Sequence, residues 1–168
     1  MKRALAQATA MLVSLTATLV ASAQIEGHPS KWIALSTTAM GITGDIRSDP
    51  TGLTIAGHHL QLRSKQELSA DEIGDAARLF SRKVTDDLSG AIYRTYLGAN
   101  TRLFGSNTLC GKKDTTWVVV MLSGPEGADH RRSLYLATFS GKNAPDLRPS
   151  VIDKSLDLCG TYWYERSN

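Results

Sequence analysis

The sequence predicts a mainly β protein, a small antiparallel barrel or sandwich of about eight strands with one helix and one disulfide. Three observations carry that expectation. Short alternating or apolar runs recur between turns rich in Gly, Pro, Asn and Asp, the spacing of antiparallel β architecture. Only one stretch, around residues 70–80, has helical periodicity. The only two cysteines sit in two copies of one tripeptide, Leu109-Cys110-Gly111 and Leu158-Cys159-Gly160, which bracket the two most apolar strand candidates.

Lys2 and Arg3 precede an apolar, small-residue stretch from Ala4 to Val20, and Ala21-Ser22-Ala23 supplies a cleavage pattern. Residues 1–23 therefore read as a secretory signal peptide and 24–168 as a single β-rich domain, periplasmic or secreted. Gln7, Thr9, Ser14, Thr16 and Thr18 dilute the run below the roughly 20 strongly apolar residues of an anchor, so the protein is not expected to span a membrane. Export places the thiols in an oxidising compartment, where an even cysteine count reads as a Cys110–Cys159 disulfide. A zinc site needs about four close ligands, and no histidine lies within a few residues of either cysteine. Closing a loop of about 50 residues stabilises by roughly 4 kcal/mol in the chain-entropy account. Lys2 and Arg3 contribute most of the net charge of +3, so the mature domain is nearly neutral and has no general attraction to nucleic acid.

Along the mature chain, Trp32 to Met40 is rich in strand formers, and Gly41 and Gly44 allow a turn or bulge. Asp45 to Ser48 reads as a short strand closed by the turn Asp49-Pro50-Thr51-Gly52. Leu53-Thr54-Ile55 and Leu60-Gln61-Leu62-Arg63 alternate around Ala56-Gly57-His58, a hairpin with its leucines and isoleucine on one face. Ser69 and Glu72 form a capping box, and Ile73, Ala76, Ala77 and Phe80 make an apolar stripe that predicts a helix packed on the sheet. Ala91 to Leu97 is a strand that ends at Gly98-Ala99-Asn100, and Thr101 to Phe104 continues after that turn. Thr115 to Leu122 is a nearly continuous apolar run suited to a central strand covered on both faces. Ser133 to Phe139 alternates, with Leu134, Leu136 and Thr138 opposite Tyr135, Ala137 and Phe139. A loop or single helical turn from Pro149 to Leu156 leads to Cys159 and a short last strand, Thr161 to Tyr164. The bridge is expected to fasten that strand beside the one following Cys110.

Local signatures of nucleophilic, metal, nucleotide or redox chemistry are absent: there is no Gly-x-Ser-x-Gly, His-Glu-x-x-His, Gly-Lys-Ser/Thr or Cys-x-x-Cys. His58 and His59, adjacent at a hairpin, point to opposite faces and read as solvated turn residues rather than a chelating pair. Asp86 and Asp87 read as a solvated acidic pair. A dispersed triad would centre on His130 beside Asp129, in a polar turn next to Arg131 and Arg132. No cofactor, metal site or catalytic residue is expected.

The segments Ala34 to Ile46 (ALSTTAMGITGDI), Asn107 to Gly111 (NTLCG), Phe139-Ser140-Gly141 and Leu158 to Tyr162 (LCGTY) resemble a family of small exported proteobacterial proteins without an assigned function. The resemblance spans most of the mature chain, leaves out Ser64 to Ser89, and implies export, a β fold and the disulfide. Ser89-Gly90-Ala91-Ile92-Tyr93 is similar to the Ser-Gly-x-x-Tyr stretch of periplasmic C-type lysozyme inhibitors, disulfide-bonded β-barrels. That likeness implies Ser89 as a hydroxyl inserted into the lysozyme cleft and Tyr93 as a brace for its loop.

The leading functional expectation is an exported, non-enzymatic binding module for an envelope or extracellular protein or a small ligand. Loops and aromatic strand ends are its main candidate surface, with Tyr162, Trp163 and Tyr164 foremost; at least one of them should face outward unless the helix covers it, and the others should pack in the core. The rivals are a lysozyme inhibitor using Ser89 and a small periplasmic hydrolase with a dispersed site near His130.

Overall fold

A computed structural model of the protein describes residues 28–81, 87–124 and 132–167. Nine strands form one antiparallel sheet: β1 (Ser30–Ala34), β2 (Ile46–Asp49), β3 (Gly52–Ile55), β4 (His58–Gln61), β5 (Arg63–Glu67), β6 (Leu88–Leu97), β7 (Thr115–Ser123), β8 (Ser133–Phe139) and β9 (Leu158–Arg166). Their order, β4-β3-β2-β1-β9-β8-β7-β6-β5, rolls into a nearly closed barrel rather than a sandwich. The two edge strands, β4 and β5, are separated in sequence only by Leu62, so one bent segment closes the ring. Its first half pairs with β3 and its second with β6. Ser64, at φ 49°, lies in the register shift between Arg63 and Gln66, and the Thr95 hydroxyl of β6 donates to the Gln61 carbonyl at 2.8 Å across the seam.

Alternation decides which side chains fill the barrel. Val118, Val120, Leu122, Leu134 and Leu136 point inward with Trp32, Leu53 and Leu60, and each is at least 97% buried. Several polar groups inside pair with one another, as low dielectric favours. Trp32 Nε1 donates to Ser48 Oγ at 2.9 Å, and the Thr43 and Tyr164 hydroxyls share a hydrogen bond of 2.7 Å. The intervening residues of β6 to β8 face outward into a second cluster containing Ile92, Val119, Met121, Tyr135 and Phe139. Helix α1 (Ala70–Arg78) and the short α2 (Pro149–Ile152) contribute Ala76, Ala77 and Ile152 to it. The capping box forms as expected, with Ser69 Oγ accepting from Glu72 N and Glu72 Oε2 accepting from Ser69 N at 2.9 Å. Of the predicted stripe, Ala76 and Ala77 are fully buried, while Ile73 and Phe80 are half-buried, Phe80 meeting Tyr135 at 5.3 Å between ring centroids.

The predicted hairpin is β3 and β4, with Leu53 opposite Leu60 and Ala56-Gly57, both at positive φ, as its two-residue turn. Four local expectations differ from the structure. The chain leaves β1 after Ala34 instead of running to Met40, because Ser36 Oγ accepts from both Ala39 N and Trp163 N and turns the backbone into a π-helical turn at Ala39–Thr43. Thr101 to Phe104 does not continue as strand; it enters a 3-10 turn at Phe104–Ser106. Ser89-Gly90 lies inside β6, not in a turn before it. A Cβ at Gly90 would sit 2.9 Å from Leu68 Cδ1 and from Met121 Cγ, so this glycine serves close packing. The last strand is longer than expected, and β8 separates it from β7.

The disulfide Cys110–Cys159, with Cα atoms 4.9 Å apart, therefore ties β9 to the connection between β6 and β7. That connection buries Leu103 and Leu109 in the barrel cluster and is further held by Asn107 Nδ2 donating to Gly41 O at 2.8 Å. Among the described residues no helix is long and apolar enough to cross a membrane.

Candidate functional site

Among the described residues, those singled out by sequence do not converge. Tyr162 and Tyr164 are 1% and 0% exposed and belong to the barrel interior, where burial pushes both phenols above their usual range. Tyr93 is likewise buried and shifted upward, first by desolvation and then by Glu67. Trp163, between the two buried tyrosines, faces outward and stacks on Tyr135 at 6.0 Å, lining a cavity of about 180 Å³ with Phe80 and Ser36. Ser89 is half-buried opposite Leu122 in the β6–β7 ladder, in a paired strand rather than a turn. Asp86, Asp129 and His130 lie outside the described residues, and Asp87 is exposed. The two hairpin histidines have separate partners: His58 Nε2 meets Arg102 O at 3.1 Å, while His59 Nε2 meets Thr51 Oγ1 at 3.1 Å.

One arrangement imitates a nucleophile with its base. Thr51, His59 and Asp49 share a corner of the β2–β3 turn, with His59 Nδ1 3.9 Å from Asp49 Oδ2. The Thr51 hydroxyl, however, gives its only proton to Asp49 Oδ1 at 2.5 Å. The 3.1 Å contact from Nε2 must then be a donation by the ring N–H, and an imidazole nitrogen that carries the proton cannot remove one. These hydrogen bonds, led by that of Thr51, hold the Asp49 carboxyl below its ordinary range. The cluster is an Asx turn with a histidine against it.

A different surface assembles from residues the motifs do not mark. Along the outward row of the sheet, Arg63 of β5 is the cross-strand partner of Arg94 in β6, Arg94 of Trp117 in β7, and Trp117 of Phe139 in β8. Phe139 is covered, but Arg63 and Arg94 are exposed and open onto a groove of about 800 Å³. His59, Gln61, Tyr96 and Lys142 also line it, and among the described residues none of the lining is acidic. Like charges directly opposite on neighbouring strands oppose folding by about 0.2–1 kcal/mol, so this pair is not explained by stability.

Each cation is positioned by an uncharged partner. Arg63 Nε donates to Gln61 Oε1 at 2.9 Å, and the Arg94 guanidinium lies 6.0 Å from the centroid of the Trp117 ring. The turn bearing Lys142 is pinned to β7 by the Thr116 hydroxyl, which donates to Gly141 O at 2.6 Å. Among the described residues no carboxylate lies within 4 Å of Arg63, Arg94 or Lys142. Some other surface cations are paired: Lys31 with Asp45 at 3.2 Å, Lys65 with Glu67 at 3.0 Å, and Arg148 with Asp146, whose carboxyl it holds down to about 2. Tyr96, 68% exposed, stands between this groove and a second depression lined by His58, Arg102 and Asp114.

Sequence alternation places His59, Gln61 and Arg63 on one side of their segment, and Arg94 and Tyr96 on one side of theirs. It does not say that the two segments pair. That follows only from closure of the barrel. No family model matches this chain, and no curated protein or solved structure matches it.

Proposed function

We propose that the protein is an exported, non-enzymatic binding module whose working surface is the groove over β4 to β7, and that its ligand is anionic. The observation carrying this reading is the pairing of Arg63 with Arg94, held by a neutral amide and an aromatic ring, with no carboxylate in the lining. Guanidinium groups oriented without being neutralised keep their charge and most of their donors for a ligand, where charge-assisted hydrogen bonds are strongest. Export is supported by the leader-like first 23 residues and by the disulfide, which persists in an oxidising compartment. The resemblance to small exported proteobacterial proteins points the same way.

Calorimetric titration of the purified protein with acetate, sulfate, phosphate and neutral glucose tests the binding assignment. At least one anion should bind, more weakly as salt rises, and binding should vanish in the double variant Arg63→Gln/Arg94→Gln. Binding of glucose alone, or anion binding indifferent to both arginines, would refute it. Intact mass of the exported protein should place its first residue near Gln24.

A further inference from the structure

We propose that the groove is built for a phosphomonoester carried on a ring, a soluble dianion held between Arg63 and Arg94 with its ring against Tyr96. This inference rests on the groove being the binding surface and adds the class of ligand. Directly opposed residues on paired antiparallel strands have Cβ atoms about 4.5–5.5 Å apart, so the two long side chains start as neighbours, and an anion between them would draw Arg63 from Gln61 and Arg94 from the Trp117 ring to meet both guanidinium groups. A carboxylate has two oxygens and one charge, which a single guanidinium fork already satisfies. Here a second fork and the Lys142 ammonium would remain unmatched. A phosphomonoester presents three terminal oxygens and a charge of about −1.5 to −2 near neutral pH, matching two forks and a third cation. Gln61 occupies the Nε side of Arg63 and leaves donors on its outer nitrogens.

The ring follows from Tyr96. It lies two residues beyond Arg94 on the same face of β6, bounds the groove, and is 68% exposed. Trp117 is the less available platform, since the Arg94 guanidinium already lies over its ring. A planar or saccharide ring attached to the phosphate would cover Tyr96 while the dianion sits one pleat away.

The test compares phenyl phosphate, inorganic phosphate and benzoate by calorimetry on the full purified protein. Phenyl phosphate should bind about tenfold tighter than benzoate, and Arg63→Gln or Arg94→Gln should each weaken it by about tenfold or more. Tyr96→Ser should remove the advantage of phenyl phosphate over inorganic phosphate and leave inorganic phosphate unchanged. All three substitutions are at exposed positions, and an unaltered near-ultraviolet circular dichroism spectrum shows that the fold persists. Arginine-dependent binding of benzoate as tight as that of phenyl phosphate would overturn the phosphate assignment while leaving the anion groove standing. No binding of any of the three would overturn both. Vesicles containing phosphatidic acid offer the same dianion on a membrane without a ring; capture by them in preference to phenyl phosphate would overturn the soluble, ring-bearing ligand.

Discussion

Strands β6 and β7 carry two outer surfaces over one continuous stretch of backbone. On one, Ile92, Val119 and Met121 lie in the cluster with α1, each at most 2% exposed. On the other, Arg94 and Tyr96 open to solvent while Trp117 is half-buried at the boundary. The inward residues do not change between them: Ala91, Tyr93, Val118 and Val120 belong to the same barrel core. The difference is therefore not in how the sheet is made but in what covers it. The covered half exchanges apolar surface for stability, at about 25 cal/mol per Å² removed from water. The bare half keeps opposed arginines in an uncovered row, the feature on which the proposed binding surface rests.

Phe139→Ala offers the strongest test of the contrast, because Phe139 and Arg63 occupy the same transverse row. Phe139 is 1% exposed, in the cluster with Leu147 and Ile152, and its truncation should cost about 3–5 kcal/mol in denaturant unfolding. Phe80, only half-buried at the end of α1, should lose less on the same substitution. A loss at Phe139 no larger than at Phe80 would mean that the cover does not seal this row as tightly as its burial shows.

Next in size is an alkaline effect confined to the barrel interior, which both halves share. Burial raises the Tyr164 phenol above the ordinary value of 10.0, despite its hydrogen bond with Thr43. Because the folded-state pKa lies above the unfolded one, the contribution is fully present below pH 10 and is lost as pH rises beyond it. Ionisation in the unfolded chain should lower stability by about 1.4 kcal/mol per pH unit in that range for this tyrosine. Tyr93 and Tyr162 shift in the same direction and add to the fall. Denaturant midpoints measured from pH 9 upward, to about pH 12, should show it, and Tyr164→Phe should make it shallower. An unchanged slope in that variant would place the alkaline sensitivity elsewhere.

The covered half was more legible in the sequence than the bare one, for a physical reason. Alternation in Ser133 to Phe139 separates two faces and the apolar run from Thr115 to Leu122 marks a strand covered on both, each without knowledge of neighbours, and the Ser69–Glu72 capping box marks α1 locally. The even cysteine count allows only one intramolecular bridge, which forms. By contrast β5, Arg-Ser-Lys-Gln-Glu, has no apolar residue and is a strand only because barrel closure brings it to β6. The groove inherits that dependence on long-range pairing: its two arginines become neighbours through closure, not through any motif. Gly90 misleads in the same way, since a glycine needed for contact with Leu68 and Met121 resembles one needed for a turn.

The smallest expected stability effect is the most informative about the bare half. Replacing Arg63 by Gln removes one of two like charges facing each other across β5 and β6 and leaves the backbone ladder in place. If the pair is a surface feature without a ligand, the change should relieve the repulsion and have no consequence for anion affinity. If it is a binding device, two observables should separate. Stability should stay level or rise by about 0.2–1 kcal/mol as the repulsion is relieved. Anion affinity should fall in the same variant, because one fork of charge-assisted donors is gone. Arg148→Gln is the matched control, since that arginine is also exposed but already paired with Asp146. It should lose the small benefit of a surface ion pair, within about 1 kcal/mol, and leave anion binding untouched. A stability loss at Arg63 as large as at a covered position would show that the guanidinium is structural, and would remove the distinction between the two halves of the wall.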